Sequence, residues 1–137
     1  MDSKVLRKAA GILVRDKKLL VEKSVGKEFF ISPGGSIEKN ETPEEALIRE
    51  LHEEFSIVVT ADDLEYFGDF SAAAVNHPGQ TVEMKVFLVK NWQGEPTPNT
   101  EVEQMAWIDS NYPADMKLGT IFAHDVVPQL KQAGLIN

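Results

Sequence analysis

Three glutamates, Glu50, Glu53 and Glu54, stand three and four residues apart in a stretch with helical character. Side chains at this spacing share one surface of a helix, where like charges repel by about 0.2–0.5 kcal/mol per pair. A divalent cation removes that repulsion, and carboxylate oxygens are the donors that Mg²⁺ prefers. The spacing therefore predicts a cation site, with a solvated acidic helix face as the structural alternative.

The helix that must position these carboxylates has a clear start. Thr42 is its predicted N-cap, Pro43 takes the first helical position and Glu45 completes a capping box. Its apolar stripe, which we expect to face the core, consists of Leu47, Ile48, Leu51 and Phe55. At the other end, Ser56 has to end the helix, and a left-handed cap costs a serine about 1 kcal/mol.

A glycine pair, Gly34 and Gly35, follows Pro33 shortly before the helix. A plain turn explains a glycine pair on its own. A glycine carbonyl can also approach a cation closely, because no side chain blocks it. Both interpretations are compatible with the sequence.

Extended segments surround this helix. The sequence predicts a hairpin of strands Lys8–Val14 and Leu19–Lys23, and a second helix near the end of the chain over Ile121–Lys131. Further strands are predicted at 64–70, 81–89 and 105–109. Strands before, between and after two helices indicate an α/β layer structure with a mixed sheet.

The segment from Gly35 onward has a specific spacing: glycine, five residues, Glu41, seven residues, then Arg49-Glu-Leu, one residue, Glu-Glu, one residue, and Ser56-Ile. This resembles the Nudix box of the Nudix (MutT-like) hydrolases, and it departs from the box at Ser56, where the family has glycine. The resemblance implies a Nudix-type α/β/α sandwich with a mixed β-sheet. It extends over residues 1–137 as one domain.

The same resemblance implies roles for individual residues. Catalytic roles fall to the three helix glutamates, and which carboxylate is the general base stays open. Glu41 and Arg49 are implied as an orienting ion pair. The implied metal ligands are Gly34, Glu50, Glu53, Glu54 and Glu101, with Glu103 as the alternative to Glu101.

Three residues outside the box are candidates for substrate contacts. Lys23 and Arg7 are predicted to meet substrate phosphates, with Lys8 as the alternative to Arg7, although exposed strand cations are common. Phe30, or its neighbour Phe29, is a candidate to stack on a base, whereas aromatic residues at a strand end more often belong to the core.

Family resemblance also implies the reaction. It is hydrolysis of a nucleoside diphosphate linked to another group X, giving a nucleoside monophosphate and phosphorylated X, with Mg²⁺ or Mn²⁺ as cofactor. Family branches for ADP-ribose or dinucleoside polyphosphates carry a proline or a tyrosine in the region that reads Ser-Ala-Ala-Ala-Val at 71–75 here. Neither residue is present, which favours a nucleoside triphosphate, an oxidised one included, as substrate.

The composition of the chain limits the kinds of molecule that it is expected to bind. A net charge of −8 argues against nonspecific binding to a nucleic acid polymer, and no apolar stretch is long enough for a membrane span. The absence of cysteine and of a signal-like start favours the cytoplasm, with a small nucleotide as partner and the oligomeric state open. A catalytically silent nucleotide-binding or regulatory module, or an interaction protein with an acidic helix, is the alternative.

Overall fold

The computed structural model describes residues 4–74 and 78–137, so position 75 of the segment 71–75 lies outside the described residues. Within these ranges the strands are β1 Lys4–Ile12, β2 Val14–Arg15, β3 Lys18–Ser24, β4 Gly34–Ser36, β5 Leu64–Ala73, β6 Gln80–Val89 and β7 Val102–Ile108. The helical segments are α1 Pro43–Phe55, a 3₁₀ turn Ala61–Asp63, a π-helical turn Phe122–Val126 and α2 Val127–Gln132.

Strand β1 organises a four-stranded mixed sheet with the order β4-β1-β6-β5. It runs parallel to β6 and antiparallel to β4, where Ala9 pairs with Gly35 and Ala10 with Gly34. The short glycine strand β4 is thus the edge of this sheet. A mixed sheet was predicted, and the structure confirms it.

The predicted hairpin is wrong in its first strand. Most of β1 belongs to the mixed sheet, and only Val14–Arg15 pairs with the start of β3, in a second sheet of order β2-β3-β7. The two-residue turn Asp16–Lys17 has positive φ at both positions (55° and 64°), as a tight hairpin turn requires. The chain therefore changes sheets at Leu13, which no local signal marks.

Helix α1 forms as the sequence predicts. The Glu45 amide donates to the Thr42 hydroxyl at 3.1 Å, and the Thr42 amide donates to the Glu45 carboxylate at 2.8 Å, which completes the capping box. At its end, Ser56 has φ 58° and donates its N–H to the His52 carbonyl. The serine therefore takes the left-handed cap expected at this position.

Helical layers cover both sides of the sheets. On one side, Leu47, Leu51 and Phe55 of α1 are fully buried and pack with Leu20 of β3. On the other side, the core cluster includes Phe122, Val126, Leu130, Leu19 and Val21. Each large apolar side chain contributes about 1.5–3 kcal/mol when it is buried, so the first of these cores fixes which way α1 faces. The predicted α/β/α arrangement is confirmed.

The closing helix contains a π-helical turn that the sequence analysis did not predict. The Val127 N–H bonds to the Phe122 carbonyl, five residues back. Pro128 follows and has no N–H to donate, which accounts for the local change in hydrogen bonding. No helix in the described part of the chain is long and apolar enough to cross a bilayer.

Candidate functional site

Gly34 holds the edge strand against α1. Its N–H donates to Oε1 of Glu54 at 3.0 Å, and its φ of 143° lies in the region that favours glycine. A Cβ on Gly34 would stand 2.1 Å from the Ala9 carbonyl oxygen. Only glycine fits here, so the edge strand and the Glu54 carboxylate are tied together by backbone.

Gly35 makes room for a second carboxylate. A Cβ at this position would lie 2.5 Å from Cδ of Glu50 and within 2.8 Å of both carboxylate oxygens. Burial raises the pKa of Glu50, while its ion pair with Arg49 opposes that rise. The missing side chain at Gly35 therefore creates the space that the Glu50 carboxylate occupies.

Arg49 fixes the outer edge of the site. Its Nε and Nη2 donate to the two oxygens of Glu41 at 2.8 and 3.0 Å, and its Nη1 donates to Glu50 at 2.8 Å. The guanidinium also donates to the Ser36 carbonyl at 3.1 Å, which joins α1 to the end of β4. These bonds lower the pKa of Glu41 to about 2. Glu41 and Arg49, predicted as an orienting pair, thus form an ion pair.

Glu54, which is half-buried, and the buried Glu22 form a carboxylate pair on the inner side of α1. Glu22 is completely buried, and neither of its carboxylate oxygens has a hydrogen-bond donor within the described residues. Burial raises the pKa of Glu54, and the adjacent Glu22 carboxyl raises it further against the opposing N–H of Gly34. Burial likewise raises the pKa of Glu22.

Sequence reasoning missed Glu22. The available signal was alternation along β3, because Leu20 and Glu22 lie on the same face and Leu20 packs against α1. A charged residue at an inward position of a buried strand is unusual enough to mark a site.

Glu53 differs from its two neighbours. Its side chain is 56% exposed and lies 3.4 Å from Nη1 of Arg49, on the outer side of the helix. Its backbone carbonyl accepts a 2.6 Å hydrogen bond from the Asn99 side chain, which docks the loop before β7 onto the end of α1. Of the three predicted helix ligands, Glu53 is thus the most open to solvent.

The same loop carries the predicted ligand Glu101. Its backbone N–H bonds to the Asn99 side chain at 2.9 Å, so this residue lies near the end of α1. Within the described residues, no recorded hydrogen bond or ion pair joins the exposed Glu101 carboxylate to the helix glutamates. The alternative, Glu103, forms a 2.9 Å ion pair with Lys23.

Of the three predicted substrate contacts, Lys23 and Phe30 lie close together and Arg7 forms a separate ion pair. Arg7 forms an exposed ion pair with Glu83 at 3.5 Å and lies on the opposite face of β1 from Lys8. Lys23 is held by Glu103 and lies 5.8 Å from the ring centre of Phe30. Phe30 is 7% exposed and belongs to the core, which is the alternative that the sequence left open for this residue.

A cleft of about 230 Å³ opens on the other side of the glycine strand. Gly34 and Gly35 line this cleft as well as contacting the carboxylates. Lys8, Lys27 and Phe29 also line it, as do Ala72–Ala74. Its further apolar lining includes Leu6, Val82, Met84, Ile121 and Phe122.

The donor set can be tested against a metal ion. Within residues 4–74 and 78–137, no three His, Cys, Asp or Glu side chains are already arranged around one point for a metal. The groups next to the glycines are nevertheless all oxygen donors, and both oxygens of buried Glu22 lack a donor. Hard oxygen donors suit Mg²⁺ or Mn²⁺ and not zinc, so the residues fit such a cation.

The chain is similar to known proteins in sequence and in fold. The family model described as NUDIX domain matches residues 5–128. A protein named 8-oxo-dGTP diphosphatase from Haemophilus influenzae is 32% identical over 116 residues, or 81% of each chain. A protein named ADP-ribose pyrophosphatase from Methanocaldococcus jannaschii is 30% identical over 104 residues, which covers 74% of this chain and 60% of that one.

Among solved structures, the MutT protein from Methanosarcina mazei Go1 superposes with a TM-score of 0.78. The match covers 98% of each chain at 15% identity, and it therefore supports the fold.

Proposed function

The chain belongs to the NUDIX domain family, and from that premise we propose that it hydrolyses nucleoside diphosphates linked to a group X, with Mg²⁺ or Mn²⁺ as cofactor. One observation carries the proposal. Gly34 and Gly35 line the cleft on one side and contact the carboxylates of Glu54 and Glu50 on the other. A nucleotide in the cleft would therefore have its diphosphate at the glycine strand, next to the acidic residues.

The proposal gives each of these residues a role in cation binding. Glu54 and Glu50 are the proposed inner metal ligands, with Glu53, Glu101 and the Gly34 carbonyl completing the predicted set. The bound cation would neutralise charge on the diphosphate and lower the pKa of a bound water. Arg49 holds Glu50 at 2.8 Å and so fixes the position of its carboxylate.

The reaction is a displacement at phosphorus. An oxygen of water forms the new bond to phosphorus, and the bridging oxygen leaves with the electrons of the broken bond. The proton of that water passes to a carboxylate, for which Glu50 is our candidate because Arg49 and the space at Gly35 hold it against the glycine strand. The products are a nucleoside monophosphate and phosphorylated X.

A nucleoside triphosphate, an oxidised one included, is the proposed substrate. Ala72–Ala74 present small apolar side chains to the cleft, and residues 71–75 carry neither the proline nor the tyrosine of the other branches. The relative from Haemophilus influenzae is named for an oxidised nucleotide, and the archaeal relative is named for ADP-ribose. Lys8 and Lys27 line the cleft and are placed to meet phosphates, in preference to Arg7 and Lys23.

A substrate panel tests the proposal. Canonical and oxidised nucleoside triphosphates, nucleotide sugars, ADP-ribose and dinucleoside polyphosphates would each be incubated with Mg²⁺ or Mn²⁺, and released phosphate or pyrophosphate measured. We expect a triphosphate to give the highest kcat/KM and to yield monophosphate and pyrophosphate. Binding without turnover of any panel member would instead show a silent nucleotide-binding module.

A matched pair of variants tests the site. Glu54→Gln removes one carboxylate charge beside Gly34, and Glu65→Gln removes one at an exposed position on β5. We expect the first to abolish most turnover and the second to leave it unchanged. Equal activity in both would place the chemistry elsewhere.

A further inference from the structure

Glu22 is the buried acidic residue that the proposed mechanism does not use. It is 0% exposed, and both carboxylate oxygens lack a donor within the described residues. Burying a carboxylate without hydrogen bonds is costly, and an apolar residue of similar size would remove that cost. A purely structural role therefore does not account for a glutamate here.

The backbone around Glu22 is fixed from both sides. Its N–H donates to the Ile31 carbonyl at 2.8 Å, and its carbonyl accepts from the Ile31 N–H at 2.7 Å. On the other side, Glu22 pairs with Met105 of β7. This pairing leaves the side chain no freedom to turn away, so it must point to the α1 side of the sheet.

On that side Glu22 meets the end of the acidic helix. Leu20, two residues before Glu22 on the same face of β3, packs in one core cluster with Leu51 and Phe55 of α1. The Glu22 carboxyl therefore lies at the inner side of this helix, beside that of Glu54. Arg49 donates to Glu50 and Glu41, and no hydrogen bond or ion pair recorded within the described residues joins any cation to Glu22 or Glu54. The inner pair therefore lacks a positive partner among the residues that the structure describes.

We propose that Glu22 is a further carboxylate of the divalent cation site, supplied by β3 from outside the glycine–helix segment. This inference rests on the proposed function, because it takes Glu54 as a ligand of the same cation. Glu22 either binds that cation together with Glu54 or holds the Glu54 carboxylate against it, and in both cases cation affinity depends on its charge. No nucleotide is required for this dependence.

A titration with Mn²⁺ alone tests the inference. Calorimetry or the electron paramagnetic resonance of free Mn²⁺ would measure the dissociation constant for wild type, Glu22→Gln and the control Glu65→Gln. We expect Glu22→Gln to weaken binding by about 10–100-fold and Glu65→Gln to leave it unchanged. Loss of a carboxylate partner is known to act on metal affinity in this range.

Thermal melting of the metal-free proteins gives a second readout. The glutamine amide is neutral and can donate to Glu54, so Glu22→Gln should melt at the same temperature as wild type or higher. Addition of Mn²⁺ should also raise its melting temperature by less than it raises that of wild type. A structural role for Glu22 predicts the reverse, a lower melting temperature with undiminished Mn²⁺ affinity.

A second variant guards against misfolding. Glu22→Met removes the same carboxylate and fills the same buried position with an apolar chain. If either variant folds and binds Mn²⁺ as tightly as wild type, the inference is overturned. A wild-type protein that binds no Mn²⁺ overturns it as well.

The outcomes separate this inference from the proposed function. A wild type that binds Mn²⁺ and turns over no nucleotide contradicts the proposed function and still allows the Glu22 test. A wild type that turns over nucleotides, together with a Glu22→Gln that binds Mn²⁺ normally, contradicts the role of Glu22 alone.

Discussion

The carboxylates on the two sides of α1 differ in their partners. The outer side carries Arg49, and the inner side faces Glu22 of β3. On the outer side, Glu41 and Glu53 are matched by Arg49, which donates to both oxygens of Glu41. On the inner side, the half-buried Glu54 lies beside the buried Glu22, and within the described residues the pair has one hydrogen-bond donor, the Gly34 N–H. Arg49 thus neutralises the charges at the outer edge of the site and also holds Glu50, whereas the Glu22–Glu54 pair, which we assign to the cation, has no such partner among the described residues.

The largest difference is expected between Glu54→Gln and Glu53→Gln. We expect the first to lower kcat/KM by about 10²–10³-fold, since it removes an inner charge at the glycine strand. The second should cost about tenfold, because Glu53 is 56% exposed and lies beside Arg49. Steady-state kinetics on the best panel substrate would measure both. Equal losses would remove the distinction between the two sides of the helix.

Gly35→Ala should rank next. The added Cβ would lie 2.5 Å from the Glu50 carboxyl carbon, so Glu50 must move out of its place. A displacement of about 1 Å costs on the order of 10²-fold in rate, while circular dichroism should show an intact fold. The matched control is Gly79→Ala. A Cβ there meets nothing within 4 Å and φ is 78°, so this variant would report the effect of backbone strain alone. Full activity in Gly35→Ala would show that Glu50 does not depend on this space.

The two sides should also differ in how stability depends on pH. A raised folded-state pKa at Glu22 and Glu54 means that the folded protein binds more protons than the unfolded chain above their ordinary value of 4.5. Metal-free protein should therefore become more stable as the pH falls from neutral toward 5. Glu41 acts in the opposite sense, since its stabilisation is present above 4.5 and is lost as the pH falls toward about 2.

Urea unfolding in the presence of a chelator, at pH 5, 6 and 7, would measure this dependence. The free energy of unfolding should depend less steeply on pH in Glu54→Gln, because this variant lacks one of the paired carboxyls. An identical slope in wild type and variant would show that the inner pair does not titrate as its burial implies.

The smallest effect is expected at Ser56, which is the C-cap of α1 and lies on neither side of the helix. Ser56 holds φ at 58°, so Ser56→Gly should raise the free energy of unfolding by about 1 kcal/mol. Activity should stay at the wild-type level, because this residue shapes the helix end and contacts neither carboxylate side. Chemical denaturation would measure the gain, and a lower stability would contradict the account of the cap.

Local signals predicted helix α1 and the outer side of the site well. The capping box, the buried stripe Leu47–Leu51–Phe55 and the left-handed position of Ser56 all depend on residues a few positions apart, and the structure has each of them. The Arg49–Glu41 pair also spans only eight residues. The mixed sheet followed from the order of strands and helices alone.

The inner side could not be predicted in this way. The direction of Glu22 depends on how β3 pairs with β7, whose residues are distant from it in sequence. For the same reason the sequence did not separate Arg7 from Lys8, which lie on opposite faces of β1. It also did not reveal that β1 leaves the hairpin at Leu13 to join the other sheet.

Crystals soaked in Mn²⁺ would test the central claim most directly, through the anomalous scattering of the metal. We predict an anomalous difference peak on the inner side of α1, between the Glu54 and Glu50 carboxylates and the Gly34–Gly35 strand. A peak confined to the outer side, near Glu53 and Arg49, or no peak in fully soaked crystals, would contradict the account.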